Sequence, residues 1–161
     1  MAAVRLGKVD EATKTTDQMI KAAPNNPLVK QLRGQVAAAG GKLDEARTLL
    51  EEAVAAMPDN MQARTLLGLV NLQQGNLGQA EMHFQNVLAS QPRNVQAQKL
   101  LAQTRAQLQS PEESLESLKP MLSEADADPS LLAMAGRMSL ASGNRDQAMA
   151  YFQQAASQAV E

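Results

Sequence analysis

The sequence repeats itself with a period of 34 residues, and this repeat limits the folds that the chain can adopt. Residues 61–94 align with the stretches on either side of them without a gap. A shift of 34 places brings Gly68 onto Gly34 and Pro92 onto Pro58. A period of this length is typical of arrays in which each unit is a pair of antiparallel helices. The sequence therefore predicts stacked units rather than one central core.

The composition predicts that these elements are helices. Hydrophobic residues make up 44% of the chain and are mostly Ala, Leu, Val and Met, whereas aromatic residues make up 2%. Those residues favour helices, and the bulky aromatic side chains that favour strands are scarce. The predicted fold class is all-α.

Charge and composition exclude several classes of function. Fifteen basic and seventeen acidic residues give a net charge of −2, and no block of like charge marks a nucleic-acid-binding surface. The chain has no cysteine, so it offers no disulfide and no thiolate ligand. It also lacks the run of about 18 apolar residues that crosses a membrane. We expect no nucleic-acid partner, no cofactor and no direct membrane insertion by this segment.

The repeat register divides the 161 residues into about four and three-quarter units. The units are 1–26 (partial), 27–60, 61–94, 95–128 (degenerate) and 129–161. In the partial unit we expect the tail of a first helix, a turn at Gly7 and a second helix over residues 10–22. Two explanations of the partial unit stay open: a cut from a longer array, and a natural start with a degenerate cap.

The second unit shows how the residues of a unit define its two helices, which we expect over residues 28–39 and 44–56. Gly41 permits the turn between them because glycine reaches left-handed backbone angles. Asp44 is the expected N-cap of the second helix, and Pro58 ends it. Gly34 and Ala46 are small enough for the two helices to approach closely.

The fourth unit keeps the length of the repeat but loses its markers. Gln109 replaces the turn glycine, although Ser110 and Pro111 still form a strong helix start. Pro120 falls inside the second helix, where it removes a backbone donor and clashes with the preceding turn. We therefore expect that helix to kink, or to end near Lys119.

Five recurring features carry a resemblance to a known family. They are a small residue in the first helix (Gly34, Gly68, Gly136), the turn glycine (Gly41, Gly75, Gly143) and a small residue in the second helix (Ala46, Ala80, Ala148). A bulky residue follows four places later (Leu50, Phe84, Phe152), and a proline closes the unit (Pro24, Pro58, Pro92). Over the whole chain this pattern resembles the tetratricopeptide repeat. The resemblance implies a right-handed α-solenoid. The chain departs from the family at Lys30, Arg64 and Gln98, where the family has an aromatic residue early in the first helix.

The resemblance implies a protein-protein interaction scaffold, a segment of a longer superhelix whose first helices line a concave groove that holds a peptide or a partner protein. The expected groove residues are Gln31, Gln35, Gln62, Thr65, Leu69, Leu72, Gln73, Gln96, Lys99, Gln103 and Arg137. Their amides suit an extended chain held by side-chain hydrogen bonds. The family's clamp for a terminal carboxylate is not expected, because Gln35 and Leu69 stand at its Asn positions. The alternative is a structural spacer whose first helices are an ordinary solvated face.

The composition of these repeats, which is rich in helix-forming residues, Gln and Ala, also resembles that of bacterial arrays in exopolysaccharide and exosortase (PEP-CTERM) systems. Repeat lipoproteins and cellulose-export subunits are examples. That narrower resemblance implies a secretion or export assembly. It also implies a periplasmic location, or membrane anchoring through a part outside this segment. The residues themselves do not assign a compartment.

Catalytic and metal-binding residues are not expected. His83 is the only histidine, and we expect it at the surface. The acidic pairs Asp44-Glu45 and Glu112-Glu113 each open a helix, where negative charge is favourable. These positions explain both pairs without acid-base chemistry, so we predict that the chain is not an enzyme.

The ends of the array are expected to expose apolar side chains. Met149, Phe152 and Ala156 form a stripe where the first helix of a further unit would pack. Near the start, the apolar side that includes Val9 and Ile20 lacks most of its partner helix. We expect weak self-association through these ends.

Overall fold

The regular secondary structure of the chain is helical throughout the part described by the computed structural model, which is residues 2–108, 111–123 and 127–158. The helices are α1 (Ala2–Ala22), α2 (Pro27–Ala39), α3 (Leu43–Ala56), α4 (Met61–Gln73), α5 (Leu77–Ser90), α6 (Val95–Leu108), α7 (Pro111–Leu122), α8 (Pro129–Ala141) and α9 (Arg145–Gln158). The predicted all-α class is confirmed.

The helices form two compact bodies, Met1–His83 and Phe84–Glu161. In the N-terminal body, α2 packs against α1 and α3, and α3 also packs against α4. In the C-terminal body, α7 lies between α6 and α8, and α9 packs on α8. Each body has its own apolar core. The two cores consist of Ala37, Ala46, Leu50, Leu67 and Val70, and of Ala102, Leu115, Leu118, Leu122, Ala127, Leu131, Leu132, Ala135 and Met138.

Small residues let the two helices of a unit approach closely, as predicted. A Cβ atom added to Gly34 would lie 2.9 Å from Cγ of Leu50 and 3.3 Å from the carbonyl oxygen of Ala46. A Cβ atom added to Gly136 would lie 2.5 Å from Cε1 of Phe152. The space that glycine leaves open is therefore filled by the bulky residue of the second helix.

The turn glycines also behave as predicted, and they determine where the second helices begin. Gly41 and Gly143 have φ of +77° and +79°, values that favour glycine. Helices α3 and α9 begin two residues after these glycines. Asp44 is therefore not the N-cap of α3, contrary to the prediction, because the turn starts the helix at Leu43. Asp44 lies in the first turn, where its Oδ1 accepts a 2.8 Å hydrogen bond from Nε2 of Gln74.

The sequence analysis missed the residues that cap the first helices. Asn26, Asn60, Asn94 and Asp128 occur 34 residues apart, at the last place of each of the first four units. Their side-chain oxygens accept hydrogen bonds from backbone N–H groups of α2, α4, α6 and α8 at 3.0, 3.0, 3.0 and 2.8 Å. Capping of this kind satisfies donors that have no partner within the helix. The recurrence of Asn and Asp at this place was the available signal.

The predicted turn at Gly7 is wrong. Helix α1 continues through this residue from Ala2 to Ala22, and Gly7 lacks a positive φ. A reversal at Gly7 would break helical backbone hydrogen bonds on both sides of that residue. Continuing the helix keeps those backbone bonds.

Helix α7 begins at Pro111, as predicted, but it does not end near Lys119. It continues through position 120 to Leu122. Leu115, Leu118 and Leu122 are all buried in the core of the C-terminal body, so an early end would expose part of this stripe. The predicted features at Gln109 and Ser110 lie outside the described residues.

We predict that Gly34→Ala and Gly136→Ala each lower the free energy of unfolding by about 1–3 kcal/mol, because the added methyl group overpacks a filled contact. Urea unfolding measures the change. Gly78→Ala is the control, since a Cβ atom there meets nothing within 4 Å in a helix and alanine favours helix. Equal destabilisation by all three changes would contradict the close-approach interpretation.

We predict that residues 116–122 of α7 exchange their amide hydrogens faster than the corresponding part of α5, because Pro120 leaves one helical carbonyl without its N–H partner. Pro120→Ala should slow this exchange and stabilise the protein by up to about 3 kcal/mol. Hydrogen exchange followed by mass spectrometry tests both points. If α7 and α5 are equally protected before the substitution, the prediction is wrong.

Candidate functional site

The first helices of the N-terminal body, α2 and α4, carry seven of the predicted groove residues. Gln35, Gln62 and Gln73 are exposed. Gln31 is different, because only 8% of it is exposed and its Oε1 accepts a 2.7 Å hydrogen bond from Nδ2 of Asn60. Since Asn60 caps α4, Gln31 orients the cap and has little surface left for a ligand.

The remaining predicted residues of this body are partly buried, and exposed leucines lie on α2. Thr65 donates its hydroxyl hydrogen to the carbonyl oxygen of Met61 at 2.7 Å, while Leu69 and Leu72 are half-buried. Leu28 and Leu32 are 59% and 40% exposed, one helical turn apart. Apolar side chains therefore accompany the exposed amides in this body.

The first helices of the C-terminal body, α6 and α8, carry the other four residues. Gln96, Gln103 and Arg137 are exposed. Lys99 is half-buried, and its Nζ donates a 2.9 Å hydrogen bond to Oγ of Ser130. The structure thus leaves three of the four polar side chains open to solvent.

Lys99 belongs to a polar cluster at the start of α8. The Ser130 hydroxyl also hydrogen-bonds to the Asp128 carboxylate, which caps the helix. This hydroxyl contact, the backbone N–H groups of Ser130 and Leu131, and the positive charge of Lys99 lower the pKa of Asp128. The Lys99 ammonium group therefore helps to hold the helix cap in its charged form.

The residues that replace the family's early aromatic side chain have a structural role. Nη2 of Arg64 donates a 2.8 Å hydrogen bond to the carbonyl oxygen of Pro58, and Nε2 of Gln98 does the same to Pro92. In both cases the side chain reaches back six residues to the chain that enters its helix. At these two positions a hydrogen bond to the carbonyl oxygen of the closing proline therefore stands in place of an aromatic side chain.

His83 is buried, contrary to the prediction of a surface histidine. It lies three residues after Ala80 and four before Val87, and both of these are fully buried on the same side of α5. Only 8% of His83 is exposed, and its Nδ1 atom has no hydrogen-bond partner. Burial, with a smaller effect of the nearby Arg64 charge, lowers its pKa.

Comparison with known families identifies the repeats. The tetratricopeptide repeat models that match cover residues 37–104 and 71–138, residues 1–60, and residues 129–159. The two overlapping matches of one model alone span residues 37–138, more than half of the chain. The chain belongs to the tetratricopeptide repeat family.

Solved structures with a similar fold include several of MamA. One aligns with a TM-score of 0.81 at 21% identity, over 94% of this chain and 89% of that chain. MamA from Desulfovibrio magneticus RS-1 aligns with a TM-score of 0.82 at 18% identity, over 98% and 89%. MamA AMB-1 gives 0.77 at 22%, over 98% and 93%. At these identities the likeness shows the tetratricopeptide repeat fold alone. No curated protein matches the chain.

The tetratricopeptide repeat fold supports an interaction scaffold with protein partners. The matches do not support the narrower resemblance to exopolysaccharide or exosortase arrays, because they are general repeat models and MamA structures. Within residues 2–108, 111–123 and 127–158, no helix is long and apolar enough to span a membrane. Over the same residues, no group of three or more His, Asp or Glu side chains could hold a metal ion.

We predict that the free energy of unfolding falls as the pH is lowered from about 7.5 to 5.5, the interval in which histidine titrates. The folded-state pKa of His83 lies below the ordinary value of 6.5. The unfolded chain therefore takes up the proton first, and stability present above 6.5 is lost as the pH falls through the lowered pKa.

His83→Leu provides the control for this pH effect, because Leu49 occupies the equivalent place one repeat earlier. Urea unfolding of both proteins should show a smaller loss of stability on acidification in the variant. If the variant loses as much stability on acidification as the original protein, titratable groups other than His83 cause the pH effect.

Proposed function

We propose that this chain is an interaction scaffold that holds an extended peptide segment of a partner protein against its first helices. The observation that carries the proposal is a set of exposed amide side chains on the first helices α2, α4 and α6, in which Gln62 is equivalent to Gln96 and Gln35 to Gln103. They are Gln35, Gln62, Gln73, Gln96 and Gln103. Each of these amides can both donate and accept hydrogen bonds, as an extended backbone requires.

Exposed apolar side chains give such a peptide a second kind of contact. Leu28 and Leu32 lie on α2, and Leu140 lies on α8 with 49% of its surface exposed. A peptide with apolar residues at alternating positions would place one face on the leucines of one body and leave its backbone groups for the amides of that body. This pattern favours an extended ligand with mixed polar and apolar side chains.

Charge contributes little to recognition at these faces. Among the predicted groove residues, the cations are Lys99, which donates a hydrogen bond to Ser130, and Arg137, which is exposed. Binding held mainly by neutral amides and leucines should depend only weakly on salt. The cellular setting, including an export assembly or a periplasmic location, stays a prediction.

The proposal is tested by selecting peptides from a displayed random library on the purified 161-residue protein. Selected peptides are then titrated by fluorescence anisotropy. Replacing Gln35, Gln73 and Gln103 together by Glu removes three amide donors and adds three charges. We expect this triple variant to weaken binding by about tenfold or more, since each lost hydrogen bond contributes roughly 0.5–1.5 kcal/mol.

A matched triple variant replaces Gln79 and Gln153 by Glu and Asn86 by Asp. These three amide side chains are exposed on the second helices, so the change adds the same charge away from the proposed face. This control should stay within about twofold of the original affinity. Equal weakening by both variants, or the absence of any selected peptide, would instead favour a spacer without a ligand in this segment.

A further inference from the structure

The C-terminal body contains a small cavity, here called the α7 cavity, between α7 and the turn that joins α8 to α9. Its volume is about 270 Å³. Helix α7 lines it with Glu112, Leu115, Glu116 and Lys119, and the turn lines it with Ser142. This volume lies below the range of about 300–1,000 Å³ that is usual for small-molecule sites. The α7 cavity therefore suits one side chain better than a cofactor.

In the N-terminal body, a side chain bridges the equivalent place. Asp44 and Gln74 lie two repeats before Glu112 and Ser142. Nε2 of Gln74 donates a 2.8 Å hydrogen bond to Oδ1 of Asp44. Asp44 and Glu112 are each the second residue of their helix. In the N-terminal body the turn thus supplies a hydrogen-bond donor to the carboxylate at the start of the second helix.

Ser142 does not supply this donor in the C-terminal body. Gln74 and Ser142 have nearly the same backbone angles, φ −82° with ψ −4° and φ −82° with ψ 2°. The serine side chain is shorter, and its hydroxyl oxygen is buried without a hydrogen-bond partner among the described residues. The α7 cavity therefore lies where the longer side chain would place its amide group.

The charges of the lining favour a positively charged donor. Glu112 and Glu116 lie one helical turn apart, which puts both carboxylates on the same side of α7. The ammonium group of Lys119 pairs with Glu116, so the lining has two carboxylates and one cation and is negative overall. An ionised carboxylate only accepts hydrogen bonds, and it does so at about four sites. Each can therefore accept a bond from a ligand in addition to its present contacts.

The remaining walls of the α7 cavity are neutral or apolar. At the start of α9, Oδ1 of Asn144 accepts a 3.2 Å hydrogen bond from the backbone N–H of Gln147, and Nδ2 of Asn144 donates to Oε1 of Gln147 at 3.2 Å. Leu115 is 6% exposed and belongs to the core of this body, so it gives the cavity an apolar floor. A side chain with a long aliphatic stem and a cationic end matches this combination.

We propose that the α7 cavity binds one arginine side chain of a partner protein. The guanidinium group donates hydrogen bonds to Glu112 and Glu116, as Gln74 does to Asp44, and the stem lies on Leu115. A guanidinium group suits this role because it is a planar fork of five donors. The cavity lies on a second helix and a turn, so the proposal does not rest on the function proposed for the first helices.

The test titrates the peptide acetyl-Gly-Arg-Gly-amide into the isotope-labelled 161-residue protein and follows backbone amide shifts by NMR at constant ionic strength. Saturable shifts should appear at Leu115, Glu116 and Asn144. We expect a dissociation constant of about 1 mM, because one side chain offers few contacts. A peptide with citrulline, which has the same shape without the charge, should bind about fivefold more weakly or worse.

Variants at the turn test whether the open space is what binds the peptide. Ser142→Gln should place an amide where Gln74 has one and weaken binding by about tenfold or more. Ser142→Ala is the matched control, since it removes the hydroxyl without filling the cavity; binding should stay within about twofold.

A second pair of variants tests the charge. Glu112→Gln should weaken binding by about fivefold, because it removes one carboxylate of the lining. Asp146→Asn removes an exposed carboxylate that is not part of the lining, so affinity should stay within about twofold. The triple variant of Gln35, Gln73 and Gln103 should also bind this peptide normally, which separates the α7 cavity from the first-helix faces.

Several outcomes would overturn the proposal. They are the absence of saturable shifts below about 20 mM peptide, equal binding of the arginine and citrulline peptides, and equal effects within either pair of variants. Loss of binding in the triple variant would also overturn it, because the peptide would then occupy the first-helix faces. Circular dichroism confirms that each variant keeps its helix content.

Discussion

The second helices α3 and α7 each carry apolar side chains that pack against the first helix of the next unit. In the C-terminal body, Leu115, Leu118 and Leu122 are buried beneath α8. An end of α7 near Lys119 would give up the burial of Leu122, which contributes about 1.5–3 kcal/mol and so offsets much of the cost of about 3 kcal/mol for one proline inside a helix. The burial of Leu122 therefore helps to keep α7 helical past Pro120.

Polar groups inside the N-terminal body add specific connections to this apolar packing. Arg33 is buried where the next two units have Leu67 and Leu101. It forms ion pairs at 2.7 Å with Asp17 of α1 and at 2.6 Å with Glu45 of α3. Burial of an ion pair costs desolvation energy, so its net contribution to stability is small. Its effect is to connect α1 and α3 through one side chain of α2.

The predictions succeeded where the signal was local in the chain. Gly41 and Gly143 occur at the predicted turns because only glycine adopts their backbone angles without strain. The predictions failed for long polar side chains. Gln31 was predicted to line a groove, yet it supports a helix cap, and His83 was predicted at the surface, yet it is buried. The repeat register predicts which residues lie on the same face of a helix, but it does not predict the hydrogen-bond partner of a flexible side chain.

By itself, the sequence determined the 34-residue period, the all-α class, the turns at Gly41 and Gly143 and the tetratricopeptide repeat family, because these depend on residue spacing and on local backbone preferences. Only the tertiary structure decided that Gln31 supports the cap of α4, that Lys99 donates a hydrogen bond to Ser130, and that His83 is buried. Each of these outcomes depends on which helix lies next to another. Contacts between residues far apart in the chain determine that, and a single sequence does not record them.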